Sequence, residues 1–184
     1  MSLDALLDSI PGHAKDLKLN FSSVVAQQTE LTPSQAWGTA VAAAYASGNS
    51  DLLRLIFEQA TQHLSEQQLE AAKGAAAIMG MNNIYYRFLH LTSNEKYKTI
   101  PARLRMNIMR THGVDHLDFE LWSTAVSAIN GCGACVDSHE KVLREKGVGE
   151  EKIVAAVRIA AVVHAIAKTL TAEAALKELE QPVG

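Results

Sequence analysis

Apolar residues recur every three or four positions along most of this chain. Three stretches show the spacing most clearly: Leu52, Leu53, Leu55, Ile56 and Ala60; Phe119, Trp122, Val126 and Ile129; and Ile153, Val154, Val157, Ala160 and Ala161, with His164 on the same face as the last set. Such spacing places the apolar side chains on one face of an α-helix. The pair Asn130-Gly131 lies between two helical patterns and not between alternating strands, so it indicates a helix break. The pattern therefore predicts helices, with little or no β-sheet.

Proline positions and helix-start signals agree with this prediction. Residues 34–100 and 102–181 contain no proline, the residue that most strongly interrupts a helix. The sequences TPSQ at 32–35 and SEQQ at 65–68 are typical of capped helix starts, with Thr or Ser as the cap and Gln three positions later. The segment 93–103 is the clearest interruption between helical patterns.

The length of 184 residues fits a single domain, since domains usually contain about 100 to 200 residues. We therefore predict one all-α domain over residues 1–184, built from about seven to nine helices. A weak internal similarity indicates a repeated helical unit: residues 76–88 align with residues 127–139 at an offset of 51 positions (127 minus 76). Both cysteines lie in the second copy, so only that copy would contain reactive side chains.

Composition and charge exclude several classes of function. Hydrophobic residues make up 48% of the chain, and the net charge is −3, which argues against a nucleic-acid-binding surface. The first ten residues carry two aspartates and no basic residue ahead of the apolar ones, unlike a signal peptide. The longest apolar run, 153–167, is interrupted by Arg158 and His164 and is too short to span a bilayer. We expect a cytoplasmic protein with no membrane or nucleic-acid partner.

The two cysteines lie together in the sequence INGCGACVDSHE, residues 129–140. In a reducing compartment a Cys-x-x-Cys pair is more often redox-active or metal-binding than structural. If a helix starts near Gly131, then Cys132, Cys135 and His139 lie within a sector of about 60° on one face. A helix N-terminus and a nearby imidazole both favour the reactive thiolate. Cys135, nearest the histidine, is the predicted nucleophile, and Cys132 is its proton donor or disulfide partner.

Two further observations bear on this cluster. Glu120 lies among apolar residues of the preceding helical pattern, where it could orient His139 or accept its proton, although an exposed glutamate in a first helical turn remains an alternative. His112 and His116 could join the cysteines and His139 as zinc ligands, but the spacing matches no common zinc finger. A thioredoxin-like domain would need a βαβ pattern, which is missing from the sequence. Two buried, chemically inert thiols are the remaining alternative.

The motif E-x11-C-x2-C-x3-H, formed by Glu120, Cys132, Cys135 and His139, resembles the alkyl hydroperoxidase D (AhpD) family of the carboxymuconolactone decarboxylase-like superfamily. The resemblance extends over nearly the whole chain. It also includes the segments AKDLKLNFSSV at 14–24, GAAAIMGMNNIYYR at 74–87, LRMNI at 104–108 and FELWSTAVSAINGC at 119–132.

This resemblance implies an all-helical subunit with an internal repeat, assembled as a homotrimer. It implies a peroxidase that reduces alkyl hydroperoxides with its cysteine pair. It also implies an adaptor that takes electrons from dihydrolipoamide, on the lipoylated component of a 2-oxoacid dehydrogenase, and passes them to a partner peroxiredoxin. By position, Cys135 would become the sulfenic acid, Cys132 would be the proton donor and close the redox disulfide, and Glu120 with His139 would form a proton relay. No bound cofactor or metal is implied.

The chain departs from part of the family at one place. Some members carry a histidine between the two cysteines, where this chain has Gly133 and Ala134. Weaker direct peroxidase activity, with dithiol transfer intact, is therefore expected. The alternatives are a non-redox decarboxylase of the same superfamily and a helical interaction module with a structural zinc.

Overall fold

The computed structural model describes residues 1–180, and the last four residues of the predicted domain 1–184 lie outside the described part. Within residues 1–180 the chain is all-α and contains no strand. The helices are α1 Leu3–Asp8, α2 Asp16–Phe21, α3 Pro33–Ser47, α4 Ser50–Ala60, α5 Glu66–Leu91, α6 Ile108–Thr111, α7 His116–Ile129, α8 Gly133–Glu145 and α9 Glu150–Glu180. Short 3₁₀ turns at Gly12–Ala14 and Glu95–Thr99 and a π-helical turn at Ser22–Ala26 complete the chain. The all-α prediction is confirmed.

The predicted helix starts are also confirmed. The Thr32 side chain accepts a hydrogen bond from the Gln35 backbone N–H, and the Gln35 side chain accepts one from the Thr32 N–H. Ser65 and Gln68 make the same reciprocal pair at the start of α5. Each pair satisfies two backbone donors that a helix N-terminus leaves without partners.

Helix α3 lies at the centre and packs against α4, α5, α7 and α9. Its buried face is rich in alanine: Ala36, Ala40, Ala43 and Ala44 have at most 1% of their surface exposed. Small side chains allow neighbouring helices to approach closely, so the aromatic and branched residues of α7 and α9 fill the space around α3. Helix α7 in turn packs against α5 and α8, which positions the cysteine-bearing helix.

Gly38 lies where α3 and α7 approach each other closely. A Cβ atom placed on Gly38 would lie 2.3 Å from the Trp122 ring, whose position is set by full burial. Gly38→Ala is therefore expected to lower the free energy of unfolding by about 1–3 kcal/mol, since a rigid core must shift. Urea unfolding measures this loss.

Gly80→Ala is the matched control for that change. Gly80 lies inside α5, and a Cβ there would meet nothing within 4 Å. Alanine should therefore stabilise that helix by about 0.5–1 kcal/mol. Equal effects of the two substitutions would show that the contact with Trp122 does not constrain position 38.

Helix α9 extends the apolar run 153–167 into a helix of 31 residues. By length and composition alone, Glu150–Leu179 would be long enough to cross a membrane. In this fold, however, Ile159, Val163 and Ile166 are fully buried, and α9 packs against α3 and α7. This is the packing of a core helix.

His164 on α9 makes stability depend on pH. Its Nδ1 lies 3.1 Å from the Ser47 hydroxyl, and burial, with a smaller effect of Lys168, lowers its pKa below the ordinary value of 6.5. The unfolded chain thus binds this proton more tightly, so stability is fully present above about pH 6.5 and is lost as the pH falls. Urea midpoints should decrease between pH 7 and pH 5, and His164→Gln should reduce that decrease. Replacing an exposed histidine, as in His90→Gln, is the control; an unchanged slope in His164→Gln would contradict this prediction.

The internal repeat stays a prediction. Residues 76–88 lie inside the continuous helix α5, whereas residues 127–139 cross the turn between α7 and α8. The two aligned segments therefore differ in local structure, and the break at Asn130-Gly131 occurs only in the second.

Candidate active site

The two cysteines lie at the start of α8. Helix α7 ends at Ile129, and Gly131 turns the chain with a left-handed φ of 64°, which favours glycine. Cys132 is the N-cap of α8, and its sulfur accepts a hydrogen bond from the Cys135 N–H at 3.3 Å. The two residues form a disulfide with a Cα–Cα distance of 5.3 Å. The expected helix break and the expected pairing are thus both present in the fold.

The two sulfur-bearing residues are not equally accessible. Cys132 is fully buried, whereas Cys135 is 6% exposed and lines a cavity of about 270 Å³. His139, one turn further along α8, lines the same cavity. A small molecule in this cavity would reach Cys135, which agrees with the prediction that Cys135 is the attacking thiol.

Glu120 and His139 form a buried pair across α7 and α8. Their exposed fractions are 4% and 7%, and His139 Nδ1 lies 2.6 Å from Glu120 Oε2. An ionised carboxylate only accepts hydrogen bonds, so Nδ1 then carries the hydrogen and Nε2 is left to exchange protons. Glu120 is therefore not the exposed first-turn glutamate considered as an alternative.

The second nitrogen of His139 faces helix α5. Nε2 lies 3.3 Å from the Met79 sulfur, which also lies 3.6 Å from Asn83 Nδ2. Among residues 1–180 no hydrogen bond joins the ring to Cys135, although both residues line the same cavity. A proton passing between them would cross the cavity through water or a bound ligand.

His112 and His116 lie beside Phe119 and Glu120 of α7. His116 Nε2 lies 3.5 Å from Glu120 Oε1, and its side chain is half exposed. The His112 ring stacks on Phe119 with centroids 4.3 Å apart, and its burial, together with the charge on His116, lowers its pKa below 6.5. No group of three or more potential metal-binding side chains occurs in the described part of the chain, so the zinc hypothesis gains no support.

The remaining walls of the cavity come from residues that the sequence did not identify as site residues, although several lie in the segments 74–87 and 104–108 that resemble the family. Besides Cys135 and His139, it is lined by Met79, Asn82, Tyr86, Met106, Met109, Ala134 and Ser138. Three of these residues share one face of α5 at helical spacing. That pattern is indistinguishable from a core-facing stripe in the sequence alone, so only packing identifies them as cavity walls.

A second set of polar contacts ties α5 to the turn before the cysteines. Asn83 Nδ2 donates to Ser127 Oγ at 2.9 Å, and Asn130 Nδ2 donates to Asn83 Oδ1 at 2.9 Å. Arg87 also donates to the Asn130 carbonyl oxygen. These bonds satisfy polar groups in the interior and hold the turn that leads into Cys132.

Residues 95–178 match the sequence model of the carboxymuconolactone decarboxylase family. A protein of Acidobacterium capsulatum named alkyl hydroperoxide reductase AhpD is 65% identical over 173 residues, which cover 94% of this chain and 94% of that protein. Proteins of the same name from Koribacter versatilis and Solibacter usitatus are 60% and 59% identical; the alignments cover 94% and 95% of this chain and 89% and 98% of those proteins. This chain belongs to the alkyl hydroperoxide reductase AhpD family.

The family match confirms the resemblance predicted from the E-x11-C-x2-C-x3-H motif. The matched segment 95–178 contains all four residues of that motif and helices α6, α7 and α8 in full. In this AhpD family member Cys135 and His139 of the motif line one cavity, while Cys132 and Glu120 lie behind them as the disulfide partner and the histidine's hydrogen-bond partner.

Proposed function

We propose that this chain reduces alkyl hydroperoxides through its cysteine pair. The observation that carries the proposal is the Cys132–Cys135 disulfide at a cavity that Cys135 shares with His139. The names of the relatives support the same reaction. The disulfide also favours this redox activity over that of a non-redox decarboxylase, which has no need of a cysteine pair.

The reaction balances within the proposed site. The Cys135 thiolate attacks the terminal oxygen of the hydroperoxide; a sulfur–oxygen bond forms, the oxygen–oxygen bond breaks, and the alkoxide leaves. The proton lost by the thiol passes through His139, held by Glu120, to the alkoxide and yields the alcohol. The Cys132 thiol then displaces water from the Cys135 sulfenic acid and closes the disulfide.

Regeneration requires an external dithiol. Dihydrolipoamide supplies two electrons and two protons by thiol–disulfide exchange, becoming lipoamide as the cysteine pair is reduced. In this proposal the donor is carried by the lipoylated component of a 2-oxoacid dehydrogenase. The reduced chain then also serves as an adaptor that passes electrons to a partner peroxiredoxin, in the cytoplasm.

The proposed assembly is a homotrimer. Apolar side chains along the outer face of α5 support an association surface, since Ile84, Phe88 and Leu91 are 57%, 50% and 75% exposed. The mass of the particle in solution, measured by light scattering, tests this part of the proposal.

A count of free thiols tests the proposed reaction. Reduced protein receives one equivalent of an alkyl hydroperoxide and then excess dihydrolipoamide, and a separate sample of reduced protein receives oxidised lipoamide. Loss of two thiols per chain, followed by their return, is expected. Thiols that persist after hydroperoxide but are lost to lipoamide would indicate an electron-transfer adaptor without peroxidase activity. Thiols that neither oxidant removes would contradict the proposal.

Ala134→His tests the effect of the missing histidine. Ala134 lies between the cysteines and lines the cavity, so an imidazole there would add a proton-transfer group beside Cys135. Hydroperoxide turnover with dihydrolipoamide is expected to increase. Gly133→His is the matched control, because Gly133 is exposed and does not line the cavity. An unchanged rate in Ala134→His would contradict this account of the relay.

A further inference from the structure

Asn82 is a buried amide with no hydrogen-bond partner at the wall of the active-site cavity. It lies on α5, is 6% exposed, and lines the cavity together with Cys135 and His139. Its Oδ1 atom is buried and has no hydrogen-bond partner. No side-chain hydrogen bond from its Nδ2 occurs within residues 1–180. The carboxamide can therefore turn about its last side-chain bond without breaking a hydrogen bond.

The amide of the next residue on α5, Asn83, is fully hydrogen-bonded, unlike that of Asn82. Asn83 is fully buried, and both ends of its amide are paired, with Ser127 and with Asn130. Buried polar groups are almost always hydrogen-bonded, because an unpaired one has lost its contact with water and gained nothing in return. An unpaired amide beside a reactive sulfur therefore indicates a partner that arrives with the substrate.

We infer that Asn82 binds the hydroperoxide group and stabilises the oxygen that leaves. This inference rests on the proposed function. As the Cys135 thiolate attacks the terminal oxygen, negative charge develops on the oxygen bonded to the alkyl group. Asn82 Nδ2 donates a hydrogen bond to that oxygen until it takes up its proton and departs as the alcohol.

The other cavity walls fit an alkyl substituent on the peroxide. Met79, Met106 and Met109 supply flexible apolar surface and Tyr86 an aromatic ring in the cavity that Asn82, Cys135 and His139 also line. An alkyl hydroperoxide would place its oxygens at Asn82 and Cys135 and its alkyl group against the methionines. Hydrogen peroxide has no alkyl group and would make no apolar contact with the methionine side chains.

Two substitutions separate this role from a structural one. Asn82→Leu keeps the approximate size and removes both polar atoms, and Asn82→Asp keeps the shape but cannot donate when ionised. The rate of thiol loss with cumene hydroperoxide is expected to fall at least about tenfold in both variants. Reduction of the disulfide by dihydrolipoamide should be unchanged. The melting temperature of Asn82→Leu should not fall, because the variant removes an unpaired buried atom.

Ser123→Ala is the matched control. Ser123 Oγ is also buried and unpaired among the described residues, but Ser123 does not line the cavity. Its removal should leave both rates unchanged.

A wild-type rate of thiol loss in Asn82→Leu and Asn82→Asp would overturn the inference and leave the proposed function standing. So would equal slowing of thiol oxidation and of disulfide reduction by dihydrolipoamide, or slowing of the reduction only. Should the leucine variant fail to fold, Asn82→Asp gives the same comparison. Wild-type thiols that resist hydroperoxide would instead overturn the proposed function, and the inference with it.

Discussion

Cys135→Ser is expected to abolish hydroperoxide reduction, while Cys132→Ser should allow one attack and then stop. Cys135 is the cysteine that lines the cavity, so a protein without it has no thiol within reach of the substrate. In Cys132→Ser the sulfenic acid on Cys135 has no neighbouring thiol and should accumulate. Mass spectrometry after dimedone labelling measures it, and consumption of hydroperoxide with dihydrolipoamide measures turnover.

The two single variants control for each other, because each keeps one thiol in the same turn of helix. Dimedone labelling of Cys132 in Cys135→Ser, at the rate seen for Cys135 in the other variant, would reverse the assigned roles. Turnover retained in both variants would place the reaction outside the cysteine pair.

Glu120→Gln is expected to slow thiol oxidation by hydroperoxide about 100-fold, the usual scale of a general acid–base contribution. Glutamine preserves the shape and can accept the hydrogen bond from His139 Nδ1, but it removes the negative charge 2.6 Å from the ring. The imidazolium that forms when His139 takes the thiol proton then loses its stabilising partner. Stopped-flow measurement of thiol loss over a range of pH reports both the rate and its proton dependence.

A double-mutant cycle with His139→Gln tests whether the pair acts as a unit. If it does, the double variant should be no slower than His139→Gln alone, since Glu120 acts through the ring. Glu140→Gln is the charge control, because Glu140 is 43% exposed at its side chain and bonds outward to Arg144. Fully additive losses, or an equal loss in Glu140→Gln, would show that Glu120 does not act through His139.

Much of the local structure follows from the sequence because it depends on near neighbours. Helix periodicity, the capping boxes at 32–35 and 65–68, and the break at Gly131 each involve residues within four positions of one another. The placement of Cys132, Cys135 and His139 along the first two turns of α8 is of the same kind, since neighbours in this set are three or four positions apart. The family relationship was also readable from the motif and the flanking segments.

The burial of Glu120 shows where sequence reasoning stops. Its position in an apolar context was compatible with an exposed first-turn residue or with a partner of His139. The choice depends on which face of α7 meets α8, and residues 19 positions apart make that contact. The sequence analysis placed the His139 ring next to Cys135 on one helix face. In the fold its Nε2 instead lies against Met79 of α5, which is 60 positions away in the sequence.

By itself, then, the sequence determined the helices, their caps and the cysteine–histidine face, because hydrogen bonds and side-chain spacing within a helix are set by residues three or four positions apart. The tertiary structure alone decided which cysteine lines the cavity, that Glu120 is buried against the histidine, and that Asn82 lines the site while Asn83 is bonded to Ser127 and Asn130. Those outcomes depend on how α5, α7 and α8 pack, and a stripe of side chains looks the same in the sequence whether it meets another helix or a cavity.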